Sequence, residues 1–213
     1  DAARPNILII FTDDQGYADL GCYGNTKNRT PRLDQLAKEG TRFTSFYSQT
    51  VCGPSRSALL TGRQPIRSGG WGMPASEITW AELIRKAGYQ TACIGKWDVS
   101  NRKAIIERMP NAQGFQYYFG ALGANDGGKV TFHENNVAAG STTDMGSLTT
   151  LYTDKAIEYL KSVRDPNKPF VLYVAHTMMH TIIDASKDFR GTSDGGLYGD
   201  VVEEFDFETG RLL

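Results

Sequence analysis

Three cysteines in 213 residues are too few for a disulfide framework, and Cys22, Cys52 and Cys93 lack metal-ligand spacing. The cysteine count therefore leaves the redox compartment open. No charge of one sign dominates: 23 Lys and Arg face 24 Asp and Glu, for a net charge of −1. Such a balance gives no electrostatic reason to expect nucleic acid or an acidic membrane as partner. No apolar run is long enough to span a bilayer, since even Ile7 to Phe11 is only strand-sized. A signal peptide is also missing, and Asp1-Ala2-Ala3 is compatible with what remains after removal of one. Internal repeats and low-complexity tracts are absent, which excludes repeat architectures. What remains is an ordinary globular composition, 40% hydrophobic and 22% charged, at a length ample for one buried core.

The apolar pattern predicts alternating strands and helices. Arg4 to Thr12 reads as a buried strand, and Thr30-Pro31 opens a helix through Lys38 that stops at Gly40. Thr41 to Ser48 reads as a short strand, and a helix starting at Cys52 ends near Gly62. Thr79 caps a helix carrying Leu83, Ile84 and Ala87, and Tyr89 to Ile94 forms the next strand, delivering Lys96 at its end. The glycine-rich stretch from Arg102 to Thr143 is expected to form loops and short strands over the active face. Ser147 to Arg164 is an amphipathic helix, Phe170 to Ala175 a strand, and Leu197, Val201, Phe205 and Leu212 fall near helical spacing. The fold class is α/β: a mostly parallel central sheet with helices on both faces. In such sheets ligands bind beyond the carboxyl ends of the strands, where Asp13, Asp14, Lys96 and the His176 to His180 segment all fall.

The most informative stretch is Cys52-Gly53-Pro54-Ser55-Arg56, followed by Ser57-Ala58-Leu59-Leu60-Thr61-Gly62-Arg63. Pro54 suits the first turn of a helix, which puts Cys52 at an N-terminus whose free N–H groups attract anions. Arg56, one turn further in, can reach back toward the same spot with a two-pronged donor. A lone cysteine is ordinarily a small core hydrophobe. The fixed offsets of Pro54, Ser55 and Arg56 argue instead for a nucleophile facing a tetrahedral oxyanion. Asp13 and Asp14 are adjacent carboxylates at a strand end. They repel unless a cation lies between them, and all-oxygen ligation suits a hard ion. A solvated turn is the bland alternative for that pair.

These motifs resemble those of sulfatases. Cys52-x-Pro54-Ser55-Arg56 with Leu60-Thr61-Gly62-Arg63 is similar to the signature in which the cysteine is oxidised to formylglycine. Arg4 to Gly16, Leu20 to Gly24, Thr30 to Ala37 and Gly95-Lys96-Trp97 follow in the family's order. The resemblance implies an alkaline-phosphatase-like fold and hydrolysis of sulfate esters. Asp13, Asp14 and the residue at 52 would bind Ca²⁺, ahead of Mg²⁺ or Mn²⁺. Cys52, Arg56, Lys96, Asp98 and His180 would form the catalytic set, with Lys96, His180 and Asn125 touching substrate. His180 would donate to the leaving group or a sulfate oxygen, while His176 reads as structural and His133 gives no signal.

Two positions depart from the family pattern. The usual Lys-x-His is Lys96-Trp97-Asp98 here, so Asp98 is either the base or a structural carboxylate paired to Lys96 or Arg102. Ile182 replaces the proline that usually follows His-Thr. A further Asp-Asn metal pair and a second substrate lysine have no counterpart before Leu213. Residues 1–213 are therefore expected to be the N-terminal part of one sulfatase catalytic domain, with no separate second domain. The Leu197, Val201 and Phe205 face is expected to be exposed, or covered by another copy or a completing C-terminal segment. The implied partner is a sulfated small molecule or glycan, and the compartment periplasmic or extracellular, with a cytoplasmic location open. Two alternatives stand beside this reading: a related phosphonate or phosphodiester hydrolase, and a non-catalytic sulfate- or sulfoglycan-binding remnant.

Overall fold

Short apolar runs that end at polar residues or glycine become the strands of a single sheet. A computed structural model describes residues 4–213, so the reading of Asp1-Ala2-Ala3 falls outside the described residues. The strands are β1 (Ile7–Phe11), β2 (Gln90–Gly95), β3 (Tyr117–Ala121), β4 (Val130–Glu134), β5 (Val137–Thr142) and β6 (Phe170–Ala175). Their order across the sheet is β1-β6-β2-β3-β4-β5. The first four in that order run parallel, and β4 and β5 fold back antiparallel. The helices are α1 (Pro31–Glu39), α2 (Cys52–Thr61), α3 (Pro65–Ser68), α4 (Trp80–Lys86), α5 (Leu148–Glu158) and α6 (Gly196–Leu212).

Side chains alternate across the central strands, as the two-residue period of a strand requires. Ala92 and Ile94 of β2, with Leu172 and Val174 of β6, pack with Tyr152 of α5 and Val201 and Phe205 of α6. Cys93 of β2, with Tyr173 and Ala175 of β6, belongs to a second core with Leu60 of α2 and Ala81 of α4. Fully burying one such side chain stabilises the fold by about 2 kcal/mol, so the two cores clamp the sheet from both faces. Close approach of β2 to β6 depends on Gly95, whose φ is 109° and whose Cβ, were there one, would lie 2.0 Å from the Ala175 carbonyl oxygen.

The local signals at helix ends hold where the chain supplies them nearby. Thr79 and Glu82 form a reciprocal cap on α4, with Glu82 Oε2 accepting from the Thr79 N–H at 2.8 Å. Thr30 stands at the start of α1, but its hydroxyl accepts from the Gly21 N–H and donates to Asp34. Asp206, from α6, caps α1 instead by accepting from the N–H groups of Arg32 and Leu33 at 3.1 and 2.8 Å.

Four expectations are corrected. Thr41 to Ser48 is not a strand; it pairs with neither edge of the sheet, β1 or β5. Tyr23 and Tyr17 hydroxyls bind the backbone of Phe43 and Phe46, and Tyr47 is 82% exposed. The Arg102 to Thr143 stretch does form loops and short strands, but the strands β3, β4 and β5 extend the sheet, and it is the Asn125–Asp126 loop that stays beside the site, bonded to His180 and Arg102. The helix from Ser147 is α-helical only to Glu158, beyond which Tyr159–Val163 widens into a π turn. Finally, Val201 and Phe205 are buried against this chain's own sheet, and Leu197 alone of the predicted face is largely open. Carboxylates tie that helix down: Glu203 accepts from the Arg29 N–H and Glu204 from the Ser186 N–H, both at 2.9 Å.

Candidate active site

Strand register assembles the site. Phe11, Ala175 and Gly95 are aligned across β1, β6 and β2, so the residues after each emerge at the same sheet edge. Backbone bonds continue the alignment: His176 N–H to the Phe11 carbonyl at 2.8 Å and Lys96 N–H to the Ala175 carbonyl at 2.7 Å. Asp13 and Met178–Met179 exchange two further bonds, at 3.2 and 2.6 Å. Residues 83 positions apart therefore meet, and Lys96 donates from Nζ to Asp13.

Arg56, Lys96 and Asp98 are fully buried, and Asp13 is 3% exposed. Lys96 Nζ stands 3.5 Å from Asp98 Oδ2, and Arg56 Nη2 3.7 Å from Asp13 Oδ1. Charges this deep persist only as a compensated set, since removing one partner strands the other in a medium that solvates it poorly. Arg56 also donates to the carbonyl of Lys96 at 3.0 Å and of His176 at 3.5 Å, and its guanidinium lies over the Phe11 ring. It grips the ends of β2 and β6 rather than offering a free fork to an anion.

Cys52 opens α2, as expected, and lines a cavity of about 520 Å³ together with Asp13, Asp14, Gln15 and Ser55. Burial first, and then hydrogen bonding to Asp98, push its thiol above the ordinary range, while the Lys96 charge pulls the other way. An unmodified Cys52 is thus a protonated thiol at neutral pH and a poor nucleophile. Strained backbone surrounds it: Asp14, Val51 and Asp98 have φ of 57°, 62° and 57°. Positive φ is costly for any of these residues, most of all for β-branched Val51, and such strain concentrates at functional sites.

The expected trio around one cation is not assembled. Among the described residues no three His, Cys, Asp or Glu side chains are grouped to hold a metal. Asp13 faces Lys96 and Arg56, whereas Asp14 turns outward, with its Oδ2 4.0 Å from His180 Nε2. Two carboxylates offer at most about four oxygens, fewer than the six to eight that calcium takes, so these residues alone do not fit the ion. Asp98 does lie beside Lys96 and Cys52, as predicted for that position. Both partners foreseen for its structural alternative are present too, since Arg102 Nε donates to its Oδ1 at 3.0 Å.

His180 reaches the same edge, but Asn125 is not placed as a substrate contact. It is fully buried, donating to the carbonyls of His180 and Ile182 at 3.1 and 2.8 Å, with Oδ1 3.2 Å from His180 Nδ1. Its amide orients the His180 segment. His176 is enclosed between Tyr152 and Phe205, consistent with a structural part. Two site neighbours had no sequence signal. Trp71 packs on Gly53, and the Tyr173 hydroxyl lies 3.4 Å from Arg56 Nη1. Their roles come from contacts across the fold.

Comparisons with known proteins agree with this geometry. An N-acetylgalactosamine-6-sulfatase of Rattus norvegicus is 35% identical over 243 residues, covering 98% of this chain and 46% of that protein. The chain spans about half the length of the curated relatives it matches. The solved structure of Ps i-CgsB in complex with k-i-k-neocarrahexaose is similar with a TM-score of 0.87 at 27% identity, covering 99% of this chain and 54% of that one. That of BT4656 in complex with its substrate D-glucosamine-2-N,6-O-disulfate has a TM-score of 0.70 at 32% identity, covering 84% of this chain and 35% of that one. The mostly parallel sheet with helices on both faces is the alkaline-phosphatase-like fold that sulfatase structures share. The family model that matches residues 5–213 is Sulfatase, and this chain belongs to the sulfatase family.

Proposed function

We propose that this site serves the hydrolysis of sulfate esters, with a formylglycine derived from Cys52 as the nucleophile. The observation that carries the reading is the buried Asp13–Lys96–Asp98 set at the sheet edge, beside a cysteine at a helix N-terminus. A hydrated formylglycine supplies one hydroxyl to attack sulfur and a second whose deprotonation releases sulfate.

The residues of this chain take the following parts. Lys96 and the free N–H groups at the start of α2 draw the sulfate oxygens toward position 52 and stabilise the charge that builds on them. Asp98 Oδ2 has no hydrogen bond of ordinary geometry and faces Lys96, and the Asp98 side chain lies beside Cys52, so this carboxylate is the acceptor for a proton leaving position 52. His180 stands at the open side of the site, where it donates to the departing alcohol oxygen. Arg56 holds Asp13 and the ends of two strands in place. Asp13 and Asp14 would contribute carboxylate oxygens to a divalent cation, and the remaining ligands must come from outside these residues. The substrate class is a sulfated sugar or small molecule. BT4656, whose structure contains a disulfated glucosamine, and Ps i-CgsB, solved with k-i-k-neocarrahexaose, favour the sugar.

Mass spectrometry of the peptide spanning Cys52 tests the reading, paired with calorimetric titration of inorganic sulfate. Conversion of Cys52 to formylglycine together with sulfate binding supports it. An unmodified thiol in a chain expressed with the modifying enzyme, combined with no sulfate binding, rejects it.

A further inference from the structure

We infer that Arg102 is a positioning residue that makes Asp98 compatible with an oxyanion at position 52. The inference rests on the sulfatase reading of the site and deepens it. A buried carboxylate beside an anion-binding position is a liability, because it repels the ligand that Lys96 attracts. Asp98 is fully buried, and Arg102 is the cation that meets it from the solvent side.

Arg102 is held at four points. Its Nε donates to Asp98 Oδ1 at 3.0 Å, and its Nη1 to Asp126 Oδ2 at 3.2 Å. The guanidinium lies over the Trp71 ring at 5.1 Å from the centroid. Its stem runs past Gly123, where a Cβ would come within 3.2 Å of Cγ and Cδ. Trp71 in turn rests on Gly53, the residue after Cys52, where a Cβ would lie 2.6 Å from two indole carbons. The contacts close a ring from Gly53 through Trp71, Arg102 and Asp98 back to Cys52. The connecting loop is bound to the Trp71 segment by Asn101 N–H to the Trp71 carbonyl at 2.8 Å and Met73 N–H to the Val99 carbonyl at 3.0 Å. Asp98, Asn101 and Arg102 hold φ of 57°, 54° and 56°, a conformation that non-glycine residues keep only when their surroundings impose it.

Two effects follow from this arrangement. Arg102 engages Oδ1, which leaves the unbonded Oδ2 on the Lys96 side. Its charge also offsets that of Asp98, leaving more of the Lys96 field to an incoming anion. Arg102 acts through Asp98 and need not touch the anion itself.

The test is a double-mutant cycle read by calorimetric titration of inorganic sulfate into the 213-residue chain. The proteins are wild type, Arg102→Gln, Asp98→Asn and the double variant, all with residue 52 in the same state by mass. Arg102→Gln should weaken sulfate binding about tenfold, while in the Asp98→Asn background the same change should cost about twofold or less. Arg102→Lys, which keeps the charge on a similar stem, should recover all but about threefold and serves if the glutamine variant does not fold. Equal losses in both Asp98 backgrounds would mean that Arg102 binds the anion directly, and would overturn the inference alone. So would wild-type affinity in Arg102→Gln. Absence of sulfate binding by the wild-type chain overturns the inference together with the reading beneath it.

Discussion

His176 offers a measurement of how strongly this interior resists charge. It follows β6, is 2% exposed, and packs edge-on against Tyr152 and Phe205 at ring separations of 6.2 and 5.1 Å. Its Nδ1 has no hydrogen-bond partner. Burial, and then the nearby Arg56 charge, lower its pKa from 6.5 to about 4. Between those values the unfolded chain binds a proton that the folded chain refuses. The folded pKa is the depressed one, so stability is unaffected above the unfolded value and is lost as pH falls through the interval. A shift of about 2.5 units at 1.36 kcal/mol each makes the full loss about 3 kcal/mol, of which about 2 kcal/mol is gone by about pH 5. His176→Phe keeps an aromatic ring in the slot and removes the titration. Urea unfolding of both proteins at about pH 7.5 and about pH 5 isolates this site, because every other group titrates in both and cancels in the difference. The variant should gain about 2 kcal/mol relative to wild type on acidification. A difference that is the same at both pH values would refute the claim that burial holds His176 neutral.

Other outcomes follow from the same charges. Arg56→Ala leaves Asp13 and two strand-end carbonyls short of a buried partner, and should cost about 3–5 kcal/mol in denaturant unfolding, not merely activity. An Arg56→Ala chain as stable as wild type would remove its bracing role. Asp98→Asn takes away a carboxylate that raises the Cys52 thiol pKa, so site-resolved alkylation of Cys52 near neutral pH should speed up; an unchanged rate would separate the two residues. Calcium should bind the 213-residue chain no tighter than about millimolar by calorimetry, given two carboxylates where six to eight oxygens are wanted. Micromolar binding would show that the ligands are complete. Thr79→Ala should cost about 1 kcal/mol of stability through its lost cap on α4, with sulfate binding unmoved.

What the sequence determined by itself is the local layer. Strands β2 and β6 and helices α2, α4 and α6 were legible within a residue or two, and β1 within three, because period, capping residues and stop glycines act over a few positions. The place of Cys52 at the start of α2 was legible for the same reason, since Pro54 lies within its first turn. Tertiary structure decided the rest. Thr41 to Ser48 has a strand's alternation but joins no strand, and the Tyr17 and Tyr23 hydroxyls bind its backbone at Phe46 and Phe43. Thr30 looked like the cap of α1, yet a carboxylate over 170 residues away does that work. Asn125 looked like a substrate contact and became a brace for His180, because burial left its amide only carbonyls to meet. Asp98 drew both of the salt-bridge partners that sequence could only name as alternatives, through strand register on one side and a strained loop on the other. Each difference has one cause: a buried polar group must find a partner, and which partner is near depends on how distant segments pack.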